Sequence, residues 1–237
     1  MSYKRGTSEG VRVKLSNFQS RPINHQPNLP KSAAANRAFG FSFLSLHMPV
    51  QNKIIIITAP SGSGKTSITR YLMQAYPQLA FSISAATRKA RGIEKNGVDY
   101  YFISEPDFKE KIQHNKFVEW EMVYEGKYYG TLKSELQRIW DDNKIPVLDI
   151  DVKGAIHVKQ QYPDSALTLF IEPPSVVELK KRLEGRGTET AESLAARVNK
   201  ASYELSFKGH FDKVIVNDDL QKACAEATEI VKYFIAQ

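Results

Sequence analysis

From about residue 53 onward, apolar positions along this chain alternate between two periods, and the alternation predicts an architecture. Residues 53–58 are a β-branched run built on four consecutive isoleucines, Ile54 to Ile57, which reads as a buried strand. A glycine-rich turn follows, then a helical stretch over 66–76 that Pro77 stops. Further strands are predicted at 80–84, 100–103, 117–123, 145–150, 166–171 and 213–216. Helices are predicted from Ser104, over 132–142 with Thr131 as cap, over 152–162, from Ser175, over 191–206 and over 219–235. Ser104 with Asp107, and Ser175 with Glu178, have capping-box spacing. Segments 88–97 and 124–130 read as polar or turn-rich loops. Such alternation implies an α/β fold, a parallel sheet covered on both faces. The segment 80–130 is richer in strands and reads as a subdomain inserted in that sheet.

Residues 1–47 break this pattern. They show neither period, and Arg21-Pro22, Gln26-Pro27 and Leu29-Pro30 favour extended or turn backbone. The stretch reads as a disordered basic leader. It could be a transit peptide, a charged tail, or residues upstream of a working start at Met48. The body is then 48–237.

Charge changes the picture less than its total suggests. The chain has 237 residues and a formal charge of +7. Residues 1–47 hold seven of the 33 Lys/Arg and one of the 26 Asp/Glu, so the body carries 26 bases against 25 acids. A nearly neutral body argues against nucleic acid as the partner. The longest aliphatic run, Ile54 to Ile57, is far short of the roughly 20 apolar residues of a membrane span. With Cys224 as the lone cysteine, an intrachain disulfide and a cysteine-held zinc are excluded. A reducing, cytoplasmic setting is expected.

Chemistry concentrates first between the first strand and the first helix. Ala59, Pro60, Ser61, Gly62, Ser63, Gly64, Lys65 and Thr66 form a P-loop pattern, with Ala59 where its first glycine would stand. Glycines let successive backbone N–H groups turn toward a phosphate, and the following helix points its positive end at the anion. Lys65 adds a point charge and the Thr66 hydroxyl can ligate Mg²⁺. Asp149 ends a second aliphatic strand, at the crevice where such sheets bind ligands. It is a candidate for Mg²⁺, or else a solvated strand-end carboxylate. Asp151 has the position of a helix cap. Arg186 lies between Gly185 and Gly187, so it can swing to neutralise charge in phosphoryl transfer, while Arg182 alone reads as a surface arginine.

A second cluster fits a phosphate monoester. Ser84 ends a strand, Arg88 and Arg91 are three apart, and Tyr100 returns on the next strand. Arginine forks and hydroxyls give oriented, bidentate phosphate binding. Glu119 puts a carboxylate in an apolar strand, and Tyr128, Tyr129 and Thr131 follow. By composition alone these segments could equally be solvated loops.

The segments APSGSGKT, ISAATRKARGIEKNGVDYYF, FVEW, KYYGT, LDIDVKG, RLEGRGTET and VIVNDDL occur in the order and spacing of guanylate kinases. The resemblance runs from about residue 53 to 236. It implies a P-loop sheet with an inserted GMP-binding subdomain at about 84–131 and a lid at about 182–200. It implies transfer of the γ-phosphoryl group of ATP to GMP or dGMP, with Mg²⁺, by a monomer or homodimer that needs neither nucleic acid nor membrane. Carried over by position, the GMP phosphate falls to Ser84, Arg88, Arg91, Tyr100 and Tyr129, with Tyr128 the alternative to Tyr129. Guanine falls to Glu119 and Thr131, with Asp151 nearby. Lys65, Thr66 and Asp149 fall at the ATP phosphates and metal, Arg186 and Arg197 at the transferring group, and Asn217 beside adenine. Ala85, Ala86, Ala90 and Thr131 depart from the commonest family residues, and the turn before Tyr128 is one residue longer. A scaffold domain that binds phosphopeptides is the other reading of such a fold; intact Gly64, Lys65, Thr66 and Arg186 favour the enzyme.

Overall fold

The computed structural model describes residues 52–185 and 190–237. The leader, the boundary at Met48 and Arg186 lie outside the described residues. In chain order the elements are β1 (Ile54–Thr58), α1 (Lys65–Ala75), β2 (Leu79–Phe81), β3 (Ala85–Ala86), β4 (Tyr101–Phe102), α2 (Glu105–Gln113), β5 (Phe117–Tyr124), β6 (Lys127–Leu132), α3 (Lys133–Asp141), β7 (Ile145–Asp149), α4 (Val152–Gln161), β8 (Ala166–Glu172), α5 (Val176–Glu184), α6 (Ala191–Leu205), β9 (Lys213–Val216) and α7 (Leu220–Ala236).

Five strands form a parallel sheet in the order β2-β7-β1-β8-β9. β1 is central and wholly buried, which explains its uninterrupted isoleucines. Ile55 and Ile57 pack with Ile68, Leu72 and Val231 on one face. Ile54 and Ile56 pack with Leu136, Val158 and Phe170 on the other. Helices α1 and α7 therefore cover one side, and α3 and α4 the other. The remaining strands form a second, mixed sheet in the order β4-β3-β6-β5, packed through Ala85, Phe108 and Phe117.

Three local expectations are corrected. The strand expected at 80–84 stops at Phe81, the end of β2, and a separate strand in the other sheet, β3, begins only at Ala85. β2 pairs with β7, whereas β3 pairs with β4 and β6. Between them, Ser82 N donates to Val147 O at 3.0 Å and Ile83 N donates to Glu135 Oε1 at 2.9 Å. The apolar alternation runs on through the crossover, so periodicity gives no sign of it. The loop expected at 124–130 is mostly strand β6, paired with β5 around a turn at Gly126, whose φ is 68°. Thr131 does not cap a helix. It lies inside β6 opposite Glu119, and α3 begins at Lys133 after an N-cap, Leu132, that makes no side-chain cap bond. The Thr131 hydroxyl is committed to Glu119 instead.

Glu135 on α3 joins the two sheets. It is 2% exposed and accepts from Ile83 N, from Tyr101 OH at 2.8 Å, and from Arg138 Nε and Nη2 at 3.0 and 2.8 Å. Burial pushes its pKa up, but the Arg138, Ile83 and Tyr101 donors outweigh that and hold it below the ordinary glutamate value.

Candidate functional site

The phosphate loop sits where the sequence places it, between β1 and α1. Gly62 and Gly64 have φ of 98° and 89°, the left-handed backbone that turns the loop inward. Gly64 has a second reason to lack a side chain. A Cβ there would lie 2.1 Å from Asn217 Nδ2. Asn217 follows β9 and is 5% exposed. Its amide donates to Ser63 O at 2.7 Å, so it braces the loop. A Cβ on Gly62 would meet Leu183 at 3.2 Å, which shows that the end of α5 packs on the same loop. From α6, Arg197 Nη1 donates to Ser61 Oγ at 3.1 Å.

Lys65 and Thr66 open α1. Asp149 ends β7, directly beside Ile57 of β1 in the register, and its carboxylate is paired with Lys65 Nζ. Among the described residues no group of three or more His, Cys, Asp or Glu could hold a metal by itself. The donors here are one hydroxyl and one carboxylate. Such a pair of hard oxygens fits Mg²⁺ carried by a nucleotide, which takes its remaining ligands from phosphates and water.

Arg88, Tyr100 and Tyr129 come together on the second sheet. The Arg88 guanidinium lies 4.7 Å from the Tyr100 ring centroid and 5.5 Å from that of Phe102, and the Tyr100 and Tyr129 rings are 6.1 Å apart. Glu94, to which the sequence reading gave no role, holds Arg88 with a fork of 2.5 and 2.8 Å and accepts from Arg91 N at 2.8 Å. The Arg88 hydrogen bond, with the Arg91 backbone N–H and both arginine charges, keeps Glu94 below the usual carboxylate range despite burial. Its spacing of six from Arg88, inside a charged loop, was the available signal. Alternation along β6 settles which tyrosine faces this cluster. Tyr128 points to the other side, 5.4 Å from Phe108 and 6.1 Å from Trp120.

Beside this cluster lies a narrow cleft lined by Ser84, Glu119, Glu121, Tyr129, Ile150 and Asp151. Glu119 is 7% exposed and Thr131 1%; Thr131 Oγ1 donates to Glu119 Oε1 at 2.6 Å. Glu119 reaches across to α4, where a Cβ on Gly154 would come within 3.0 Å of Oε2. Asp151 is the N-cap of α4, accepting from Gly154 N at 2.8 Å. Glu121 hydrogen-bonds Asp151. That bond, burial and the Asp151 charge push the Glu121 pKa up to about 7, against the pull of Lys200 and Lys153. The sequence reading missed Glu121, although its i+2 spacing from Glu119 puts both on one strand face. A larger hollow, lined in part by Lys159, Asp212, Ile230 and Tyr233, sits at the other end of the sheet, away from the phosphate loop.

Comparison with known proteins bears on this arrangement. The family model described as guanylate kinase matches residues 51–233. A guanylate kinase of Bacteroides fragilis is 48% identical over 189 residues, covering 80% of this chain and 93% of that protein. One from Salinibacter ruber is 46% identical over 189 residues, 80% of this chain and all of that protein. The crystal structure of guanylate kinase from Anaplasma phagocytophilum superposes with a TM-score of 0.62 at 26% identity, over 78% of this chain and 87% of that one. With a phosphate loop braced by Asn217 and a second sheet carrying the Arg88 and Glu119 clusters, the chain belongs to the guanylate kinase family.

Proposed function

We propose that this protein transfers the γ-phosphoryl group of ATP to GMP, giving GDP and ADP. The observation that carries the reading is Glu119, a buried carboxylate hydrogen-bonded to Thr131 in the cleft beside Tyr129. Guanine presents N1–H and its 2-amino group side by side, two donors that one carboxylate accepts together. As they arrive, the single Thr131 proton is released to guanine O6. Adenine offers a lone pair at N1 and a donor at N6, wrong on both counts.

Arg88, Arg91, Ser84, Tyr100 and Tyr129 hold the GMP phosphate, with Arg88 exchanging its Glu94 partner for the incoming anion. The backbone N–H groups from Ala59 to Thr66 cradle the ATP phosphates, Lys65 neutralises them, and Asn217 acts by keeping the loop in shape. Thr66 and Asp149 would hold Mg²⁺, which would supply neutralisation of phosphate charge. Arg197 and Arg186 clamp the transferring group from the lid at about 182–200. Catalysis is positioning plus charge neutralisation, with no phosphoenzyme. The catalytic unit is 48–237, the subdomain at about 84–131 carries the acceptor, and the leader is outside the chemistry. The setting we propose is the cytoplasm.

A coupled ADP-release assay with GMP, dGMP, AMP and UMP tests the reading. GMP should be strongly preferred to AMP and UMP. No turnover with GMP would sink the proposal.

A further inference from the structure

We propose that Glu121, hydrogen-bonded to Asp151 on the wall of the same cleft, reads the ribose 2′-hydroxyl of the acceptor and so makes the enzyme prefer GMP to dGMP. The inference rests on the acceptor assignment above and extends it to the sugar.

Two observations converge on this position. The first is the strand register. Glu119 faces Thr131, and Glu121 faces Tyr129, two rungs apart on the β5–β6 ladder with Trp120 and Gly130 between them. The Glu119 rung holds the base, and the Tyr129 rung leads toward Arg88 and the phosphate. Two residues along a strand advance about 7 Å, the scale of a purine ring system. A nucleotide lying along the ladder with its base on the first rung therefore brings its sugar alongside Glu121. Both carboxylates line the cleft, so they share one face of β5.

The second observation is the contact with Asp151. Its carboxylate caps α4 through Gly154 N, hydrogen-bonds Glu121, and lines the cleft with it. Guanosine carries its 2-amino group and its ribose 2′-hydroxyl on one edge. A group next to Asp151, beyond the guanine reader Glu119, meets that edge at the sugar. Glu121 and Asp151 line the cleft together, so carboxyl oxygens border the place of the sugar, and a 2′-hydroxyl is a donor they can accept from. A deoxyribose leaves those acceptors unmatched. The charges of Lys200 on α6 and Lys153 on α4 pull the other way on Glu121, which eases the cost of holding a half-buried carboxyl beside Asp151.

The test is steady-state turnover of GMP and dGMP by the full chain, by Glu121→Ala and by Glu121→Gln, with calorimetric titration of both nucleotides. The wild type should favour GMP. Glu121→Ala should lower kcat/KM for GMP about tenfold and change that for dGMP less than twofold, with the KM for ATP and the Tm held. Glu121→Gln keeps an acceptor and a donor for Asp151, so it should retain most of the discrimination. Equal losses for the two acceptors in Glu121→Ala, or wild-type affinities equal for GMP and dGMP, would overturn the ribose role while leaving the acceptor assignment standing. Absence of turnover with either nucleotide would instead defeat that assignment, and the two titrations would still decide whether the 2′-hydroxyl is read.

Discussion

Replacing Glu119 by Gln isolates the electrostatic part of guanine recognition. The two side chains have nearly the same shape, so the packing against Gly154, where Oε2 leaves no room for a Cβ, is preserved. The glutamine oxygen can still accept from Thr131, so the 2.6 Å bond survives and the Tm should move by only a few degrees. What changes is the face turned to the base. One charged acceptor is lost, and an amide donor now opposes a guanine donor. A hydrogen bond to a charged group contributes about 1.5–3 kcal/mol, and the opposed donors in a site only 7% exposed bring the total to about 3 kcal/mol. That predicts a drop in kcat/KM for GMP of about 10²-fold, with the KM for ATP near wild type. The ADP-release assay, run with GMP and with AMP, measures it. Should the variant keep its full preference for GMP over AMP, the carboxylate does not read the base, and Asp151 becomes the next residue to replace.

Four further outcomes are expected. Lys65→Ala should lower kcat by orders of magnitude while GMP still binds by calorimetry; turnover within a few-fold of wild type would remove Lys65 from the chemistry. Gly64→Ala should weaken ATP binding by about tenfold or more, since the added Cβ strikes the Asn217 amide in a backbone region L-residues avoid; adding Asn217→Ala should recover part of the loss, and strict additivity would refute the clash. Glu135→Ala should reduce stability to urea by about 2–3 kcal/mol, because it leaves Arg138, Tyr101 and Ile83 N without their acceptor. Because the Glu135 pKa is depressed on folding, its contribution is complete above the ordinary glutamate range and fades as the pH falls through the lowered value; Glu135→Gln should flatten that acid-side slope, and an unchanged slope would count against the hub. Deleting residues 1–47 should leave kcat, KM and Tm unaltered, and loss of activity would tie the leader to the enzyme.

Much of the parallel sheet was legible because its signals are local. Ile54 to Ile57 could only be a buried strand, the glycines of the phosphate loop announce their own turn, and Ser104, Ser175 and Asp151 cap the helices they precede. The second sheet was misread where long-range pairing decided the outcome. Nothing in Ala80 to Ser84 tells that the chain leaves one sheet for another, because the switch is fixed by Val147 O and Glu135, far along the chain. Thr131 is a good N-cap residue by type, and only its partner across the ladder draws the hydroxyl elsewhere. The candidate site was readable as residue types in order. Its internal charge pairing was not, since Glu94 and Glu121 acquire their roles from neighbours brought close by folding.

The sheet order carries a consequence for biosynthesis. Among the described residues β1 is the first strand in chain order and the centre of the sheet, yet Ile55 pairs with Val147 and Ile54 with Ala166. Roughly a hundred residues must be translated before either neighbour exists, on the order of ten seconds at typical elongation rates. Through that interval a β-branched, uncharged segment waits with both edges open, the pattern most prone to self-association. A charge placed among Ile54 to Ile57 would abolish the core, so the nascent chain cannot be protected by sequence there. Its yield should therefore depend on holdase chaperones and on slow induction at low temperature far more than the stability of the finished enzyme would suggest.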